Sequence, residues 1–203
     1  MFSKSFCLCT LFVVLNLQIC AAERNRTIVR MGNNTVLDGF TVSGARDACV
    51  SGENVDFSVA NCIVADGRDS GIRAVNGDVF LKWCDIKQNR WYAVYHEGEG
   101  FTLQVENCNV RKNQRYGIYC LDSILICRNS IVSESDLSQT GNAGVFMFNP
   151  PSPPLLQNVT VARNKAAGLL LMGSTLPELQ NCIVYHNNNA GPQLAGFSAD
   201  DAA

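Results

Sequence analysis

Two residue marks recur along this chain at a common interval, and their agreement constrains the fold more than any other feature. A polar corner residue appears at Asp38, Asn61, Asn107, Asn129, Asn158 and Asn181, with Trp83 standing in once. A small residue, usually glycine, appears at Ala48, Gly71, Ala93, Gly117, Gly144, Gly168 and Gly191. Successive corner marks lie 22 to 29 residues apart, and successive small marks 22 to 27. Two marks that keep step are not an accident of one residue type. Periods of roughly 20–50 residues signal a solenoid, in which each unit buries its apolar side only by stacking on its neighbours.

Within each unit the apolar residues alternate, as in Leu103 and Val105, then Ile118 and Cys120. Period-two alternation with β-branched residues specifies strands, and no unit has room for a ten-residue amphipathic helix. Three short strands fit each unit, separated by tight corners, and asparagine tolerates the left-handed backbone such corners need. Stacked asparagines there can also hydrogen-bond from coil to coil. The reading is an all-β chain folded as a right-handed, single-stranded parallel β-helix of about seven coils, a rod roughly 34 Å long at about 4.8 Å per coil. One inward column is Ile72, Val94, Ile118, Val145 and Leu169. A second is Cys62, Cys84, Cys108, Ser130, Val159 and Cys182. The serine and valine among them mark the column as packing rather than bonding, so these thiols are expected free.

The opening TVLDGFTVSG and the recurring NCIV–N–G units resemble the right-handed parallel β-helix repeat family, the pectate-lyase-like superfamily, in its secreted bacterial form. The resemblance runs from about Thr35 to Leu194. It implies the fold and leaves activity open, because one fold hosts many functions.

The chain begins with a short basic stretch, an apolar run and Ala21–Ala22, the pattern of a secretory signal cut after Ala22. The organisation expected is a signal peptide over 1–22, a lead-in over 23–34, the β-helix over 35–196 and a short acidic tail over 197–203. No apolar run reaches the length of a membrane span. Without Lys4 the remaining 15 basic and 18 acidic residues give a net charge of −3, which points away from nucleic acid. Seven cysteines remain beyond the signal, an odd number that cannot all pair, and no CxxC spacing suggests a metal.

Chemistry is expected on the outward face of one sheet. If Ile72 and its equivalents point inward, then Arg73, Tyr95, Tyr119, Phe146, Leu170 and Gln193 form the outward column beside them, with Tyr92 and Tyr116 two residues before the inward mark. Exposed aromatics stack on sugar rings, so Arg73, Tyr92, Tyr95, Tyr116, Tyr119 and Phe146 are the expected polysaccharide contacts. The alternative is that the proline-rich segment Asn149–Pro154 or a partner covers them. A cationic turn edge, Arg68, Lys87, Arg90, Arg111, Lys112, Arg115, Arg163 and Lys165, would favour an acidic glycan.

Catalytic signals are weak. The resemblance implies carboxylates holding calcium, with an arginine or lysine base, in lyases, and paired acids in hydrolases. Glu97, Asp122 and Arg73 are the candidates nearest the face, with His96 nearby. The NTD, DD, GHG and RIK signatures expected of polygalacturonases are absent, as is a clustered aspartate set for calcium. No cofactor is expected unless the chain is a lyase. Three readings therefore stand: a glycan-contacting β-helix, a carbohydrate-active lyase, hydrolase or epimerase, and a non-catalytic structural or adhesive surface protein. The segments outside the repeat are too short for a convincing helical cap, which raises end-to-end self-association.

Overall fold

The computed structural model describes residues 17–20, 27–135, 143–187 and 193–196. Most of the expected leader, its cut after Ala22, Gly191 and the tail over 197–203 lie outside the described residues. Every regular element described is a strand, and all pairings are parallel. The strands form three sheets that run the length of the rod. Sheet I extends from Leu17–Cys20 and Phe40–Ser43 to Ile183–Tyr185, sheet II from Val29–Arg30 to Leu194–Ala195, and sheet III from Thr35–Asp38 to Glu178–Gln180. Each coil passes through sheets III, I and II in turn, and the seven strands of sheet III mark seven coils. This is the expected right-handed parallel β-helix. Val29–Arg30 already pairs with Val50–Ser51, so pairing begins within the segment read as a lead-in.

A chain of L-residues turns each corner through one left-handed residue. At the sheet III to sheet I corner these are Gly39, Asn61, Trp83, Asn107, Asn129, Asn158 and Asn181. The first is Gly39, not Asp38, because glycine takes positive φ without a Cβ penalty. Asp38 instead accepts a hydrogen bond from Asn61 Nδ2 at 2.8 Å. At the sheet I to sheet II corner the left-handed residues are Gly44, Asp66, Gln88, Lys112, Glu134, Arg163 and His186. Several of these residue types pay a steric cost there, which identical coil geometry imposes on whatever residue the position holds.

The expected inward columns are the core. Ile72, Val94, Ile118, Val145 and Leu169 are each 0% exposed. Cys62, Cys84 and Cys108 are buried in the second column, and Cys49, Cys120 and Cys127 elsewhere in the interior. These six and Cys182 are free thiols, as the serine and valine in the second column suggested for its members.

At the expected column the corner residues do bond from coil to coil, Asn158 Nδ2 donating to Asn129 Oδ1 at 3.0 Å, and a second, buried ladder lies one corner away. Asn89, Asn113, Ser135, Asn164 and Asn187 stack in the sheet I to sheet II turns, each buried. Asn113 Oδ1 accepts from both the backbone N–H and Nδ2 of Asn89, each at 3.0 Å. Asn164 Oδ1 accepts from Ser135 N–H at 2.9 Å, and Asn187 Oδ1 accepts from Asn164 N–H and Nδ2 at 3.0 and 2.8 Å. These side chains satisfy turn amides that a sheet ladder cannot reach. The ladder also explains the glycine mark. A Cβ on Gly144 would sit 2.6 Å from Asn164 Nδ2, and one on Gly168 would sit 2.5 Å from Asn187 Nδ2.

Candidate functional site: the outward face of sheet II

Sheet II has the longest strands, with Ser70–Val75, Tyr92–Glu97, Tyr116–Leu121, Ala143–Phe148 and Ala167–Met172 each six residues long. In-register pairing stacks like positions. The outward column reads Arg30, Ser51, Arg73, Tyr95, Tyr119, Phe146, Leu170 and Ala195. The expected Gln193 is not its last member, since Leu170 pairs with Ala195. Gln193 turns back instead, and its Oε1 accepts from Asn187 N–H at 2.8 Å. Beside this column stand Tyr92 and Tyr116, also in register. The face is therefore graded along the rod, with arginines at one end, tyrosines in the middle and aliphatic residues at the other.

The tyrosines are half-buried and packed against one another. Tyr92 and Tyr116 stack with centroids 5.5 Å apart at 10°, and Tyr95 and Tyr119 stack at 5.4 Å and 10°. Edge contacts of 5.0 to 5.2 Å join the two stacks. Phe146 stacks on Tyr119 at 4.7 Å and is only 6% exposed. The expected open aromatic platform therefore needs correcting. Phe146 is a buried support rather than a contact, because the coil spacing presses each ring onto the next. Stacking uses up the ring faces that the tyrosines turn toward one another. Burial raises the pKa of Tyr92, Tyr95 and Tyr119. All three remain neutral phenols, and therefore hydrogen-bond donors, well into alkaline solution. Tyr95 donates its proton to Glu97 Oε2 at 2.6 Å, and the Arg73 guanidinium lies 5.5 Å from the Tyr95 ring centre.

Two clefts flank the tyrosines. One, of about 510 Å³, holds Arg30 and Arg73 with Asp47, Glu53 and Asp69. The other, of about 560 Å³, lies at the corner leading to sheet III and holds Glu97, Glu99, Asp122 and Asn149. The candidate catalytic set is thus divided: Glu97 and Asp122 share one cleft, and Arg73 lines the other. Asp122 is also engaged, accepting from Asn149 Nδ2 at 2.8 Å. The proline-rich segment borders this acidic cleft through Pro151. His96 points inward and is 0% exposed, so it cannot reach a bound glycan. Among the described residues no group of three or more His, Cys, Asp or Glu side chains is placed to hold a metal ion.

Several members of the cationic edge are engaged by acids or rings. Asp85 accepts from Lys87 Nζ at 2.7 Å and from Arg111 Nε and Nη2, each at 2.9 Å. Burial would raise the Asp85 pKa, but these two cations outweigh it and hold the carboxyl below its usual value. Lys112 lies 3.8 Å from Glu134, and Arg115 sits 4.2 Å over the Trp91 ring. Arg68 and Arg90 line a third surface depression with Asp66 and Gln88. Arg46 extends this series in the coil before; its exposed side chain escaped the sequence reading because the turn carrying it lacks the asparagine.

The sequence pattern of the right handed beta helix region family matches residues 76–199, and the chain belongs to that family. No curated protein and no solved structure matches it. No described helix is long and apolar enough to cross a membrane.

Proposed function

We propose that this is a secreted β-helix protein, allied to the pectate-lyase-like superfamily, that holds an acidic polysaccharide along the outward face of sheet II. The observation that carries the reading is the pair of tyrosine stacks lying directly beside Arg73. Locked rings lose little conformational freedom on binding and present hydroxyl edges to sugar oxygens. An arginine at the end of the column supplies a planar donor fork suited to a carboxylate or sulfate. The contacts are Arg73, Tyr92, Tyr95, Tyr116 and Tyr119. Retention on acidic against neutral glycans tests this, with Tyr95→Ala and Tyr119→Ala as the probes. Loss of acidic-glycan retention is expected, and unchanged retention refutes the reading. Following unsaturated-uronate absorbance with and without calcium tests the lyase alternative, which Glu97 and Asp122 would have to carry. A structural or adhesive role is favoured by one observation: the tyrosine faces are consumed by their own stacking.

A further inference from the structure

The aromatic face of sheet II extends further across the rod than along it. Along the axis the stacked tyrosines occupy adjacent coils, about 5 Å apart, and buried Phe146 ends the series. Across the axis the ring contacts continue past the tyrosines into the turn from sheet I. Ring centres of Trp91 and Tyr92 lie 6.3 Å apart, and those of Tyr92 and Tyr95 lie 5.2 Å apart. At the strand rise, Arg90 to Tyr95 covers roughly 15 Å. Trp91 is 39% exposed, while the tyrosines beside it are half-buried. The Arg115 guanidinium lies 4.2 Å from the Trp91 ring centre and adds a cation there.

The turn that leads to Trp91 is held by the buried ladder. Asn89 Oδ1 accepts from Gly67 N–H at 2.9 Å, and Arg90 N–H donates to Gly67 O at 2.8 Å. Arg68 and Arg90, which follow Gly67 and Asn89, therefore hold the same place one coil apart. Both are exposed, and neither makes an ion pair among the described residues. They line a depression of about 460 Å³ with Gln88, Gln114 and Asp66. Asp69, next to Arg68, accepts from Ser70 Oγ at 3.0 Å. Two guanidinium groups at this spacing repel each other. An anion between them removes the repulsion and offers oxygens to both planar forks. Asp66 works against that anion and tempers its affinity.

We propose that Arg68 and Arg90 form an anion subsite, filled by a carboxylate or sulfate of the polysaccharide, and that the chain continues over Trp91 onto the tyrosines, crossing the rod axis. The inference rests on the acidic-glycan reading for its class of ligand.

Retention on immobilised dextran sulfate, alginate and neutral dextran tests this. Arg68→Gln combined with Arg90→Gln should weaken retention on acidic polymer about ten-fold, the order expected for lost hydrogen bonds to a charged group, and leave neutral dextran unchanged. A loss confined to dextran sulfate assigns the sulfate, and one confined to alginate assigns the carboxylate. Arg90→Gln alone should act in the same direction, whereas Arg128→Gln, which removes the same charge from sheet III, should stay within about two-fold. Asp66→Asn should strengthen retention, and Trp91→Ala should weaken it. Equal losses for Arg90→Gln and Arg128→Gln, weaker retention of Asp66→Asn, or no effect of Trp91→Ala would each overturn the proposal. The tyrosine variants separate it from the reading it rests on. If Tyr95→Ala and Tyr119→Ala change nothing while the double arginine variant loses retention, the tyrosine face fails and the anion subsite stands. The reverse outcome sinks the subsite alone, and an unsubstituted chain retained on neither acidic polymer sinks both.

Discussion

Replacing Asn113 with alanine removes the second rung of the buried ladder, and the structure sets the size of the effect. Asn113 Oδ1 is the acceptor for the Asn89 backbone N–H and for Asn89 Nδ2, and its own Nδ2 donates to Ile86 O at 3.3 Å and Arg111 O at 3.1 Å. Asn89 and Asn113 are both 0% exposed, so water cannot replace these partners without opening the turn. Two buried donors left unsatisfied cost about 1–3 kcal/mol each, which gives a loss of about 3–4 kcal/mol once partial relaxation is allowed. Native domains have only about 5–15 kcal/mol in hand. With a urea slope of roughly 1–3 kcal/mol per molar, the unfolding midpoint should fall by at least about 1 M. Gln157→Ala is the control. Its Nε2 donates to Gln180 Oε1 at 2.9 Å in an exposed rung, so the chemistry is the same but solvent takes over, and the change should stay within about 0.5 kcal/mol. Equal midpoint shifts for the two variants would refute the claim that burial gives the ladder its strength.

Trp83→Asn should stabilise the chain by about 1 kcal/mol in urea, because Trp83 holds φ 53° at an exposed corner where its homologous positions are asparagine or glycine. Gly168→Ala should destabilise by about 1–3 kcal/mol, since the new Cβ would press on Asn187 Nδ2 and on Val184 Cγ1, 2.5 and 2.7 Å away. His96 gives a pH signature. Burial lowers its pKa below the ordinary 6.5, and its Nε2–H donates to Gly77 O at 2.9 Å while Nδ1 has no partner. The unfolded chain takes up a proton first as pH falls, so stability is full above pH 6.5 and declines below it. His96→Gln should flatten that part of a stability–pH curve. Asp85 acts lower on the scale. Its depressed pKa contributes stability above the ordinary carboxylate value that is lost as pH falls further, and Arg111→Met should reduce the loss.

The coil architecture was legible because a solenoid repeats its constraints. Inward positions such as Ile72 and Val94 occur once per period, so alternation and spacing identified them together. The corners were legible only in part. Asn61 and Asn107 announce a left-handed residue, but Gln88 and Lys112 adopt the same backbone with no sequence sign, because stacking on neighbouring coils overrides local preference. The buried ladder was missed because Asn89 and Asn113 sit among the polar residues of a turn and read as solvent-facing. Along the candidate face, the column order followed from period two, but ring orientation did not. Whether Tyr95 offers its face or its edge depends on the approach of Tyr119 across the coil spacing, a distance no alternation pattern contains.

The interior thiols give the chain a schedule. Burial lifts Cys49 to about 11 and Cys62, Cys120 and Cys127 to about 12, so in the finished rod these sulfurs are not nucleophiles. Before the coils close, each is an ordinary solvated cysteine, able to cross-link with any other. An oxidant that arrives late meets four inert sulfurs, and one that arrives early meets a tangle. The speed of coil closure, rather than any bond between cysteines, then decides how much chain survives in an oxidising compartment.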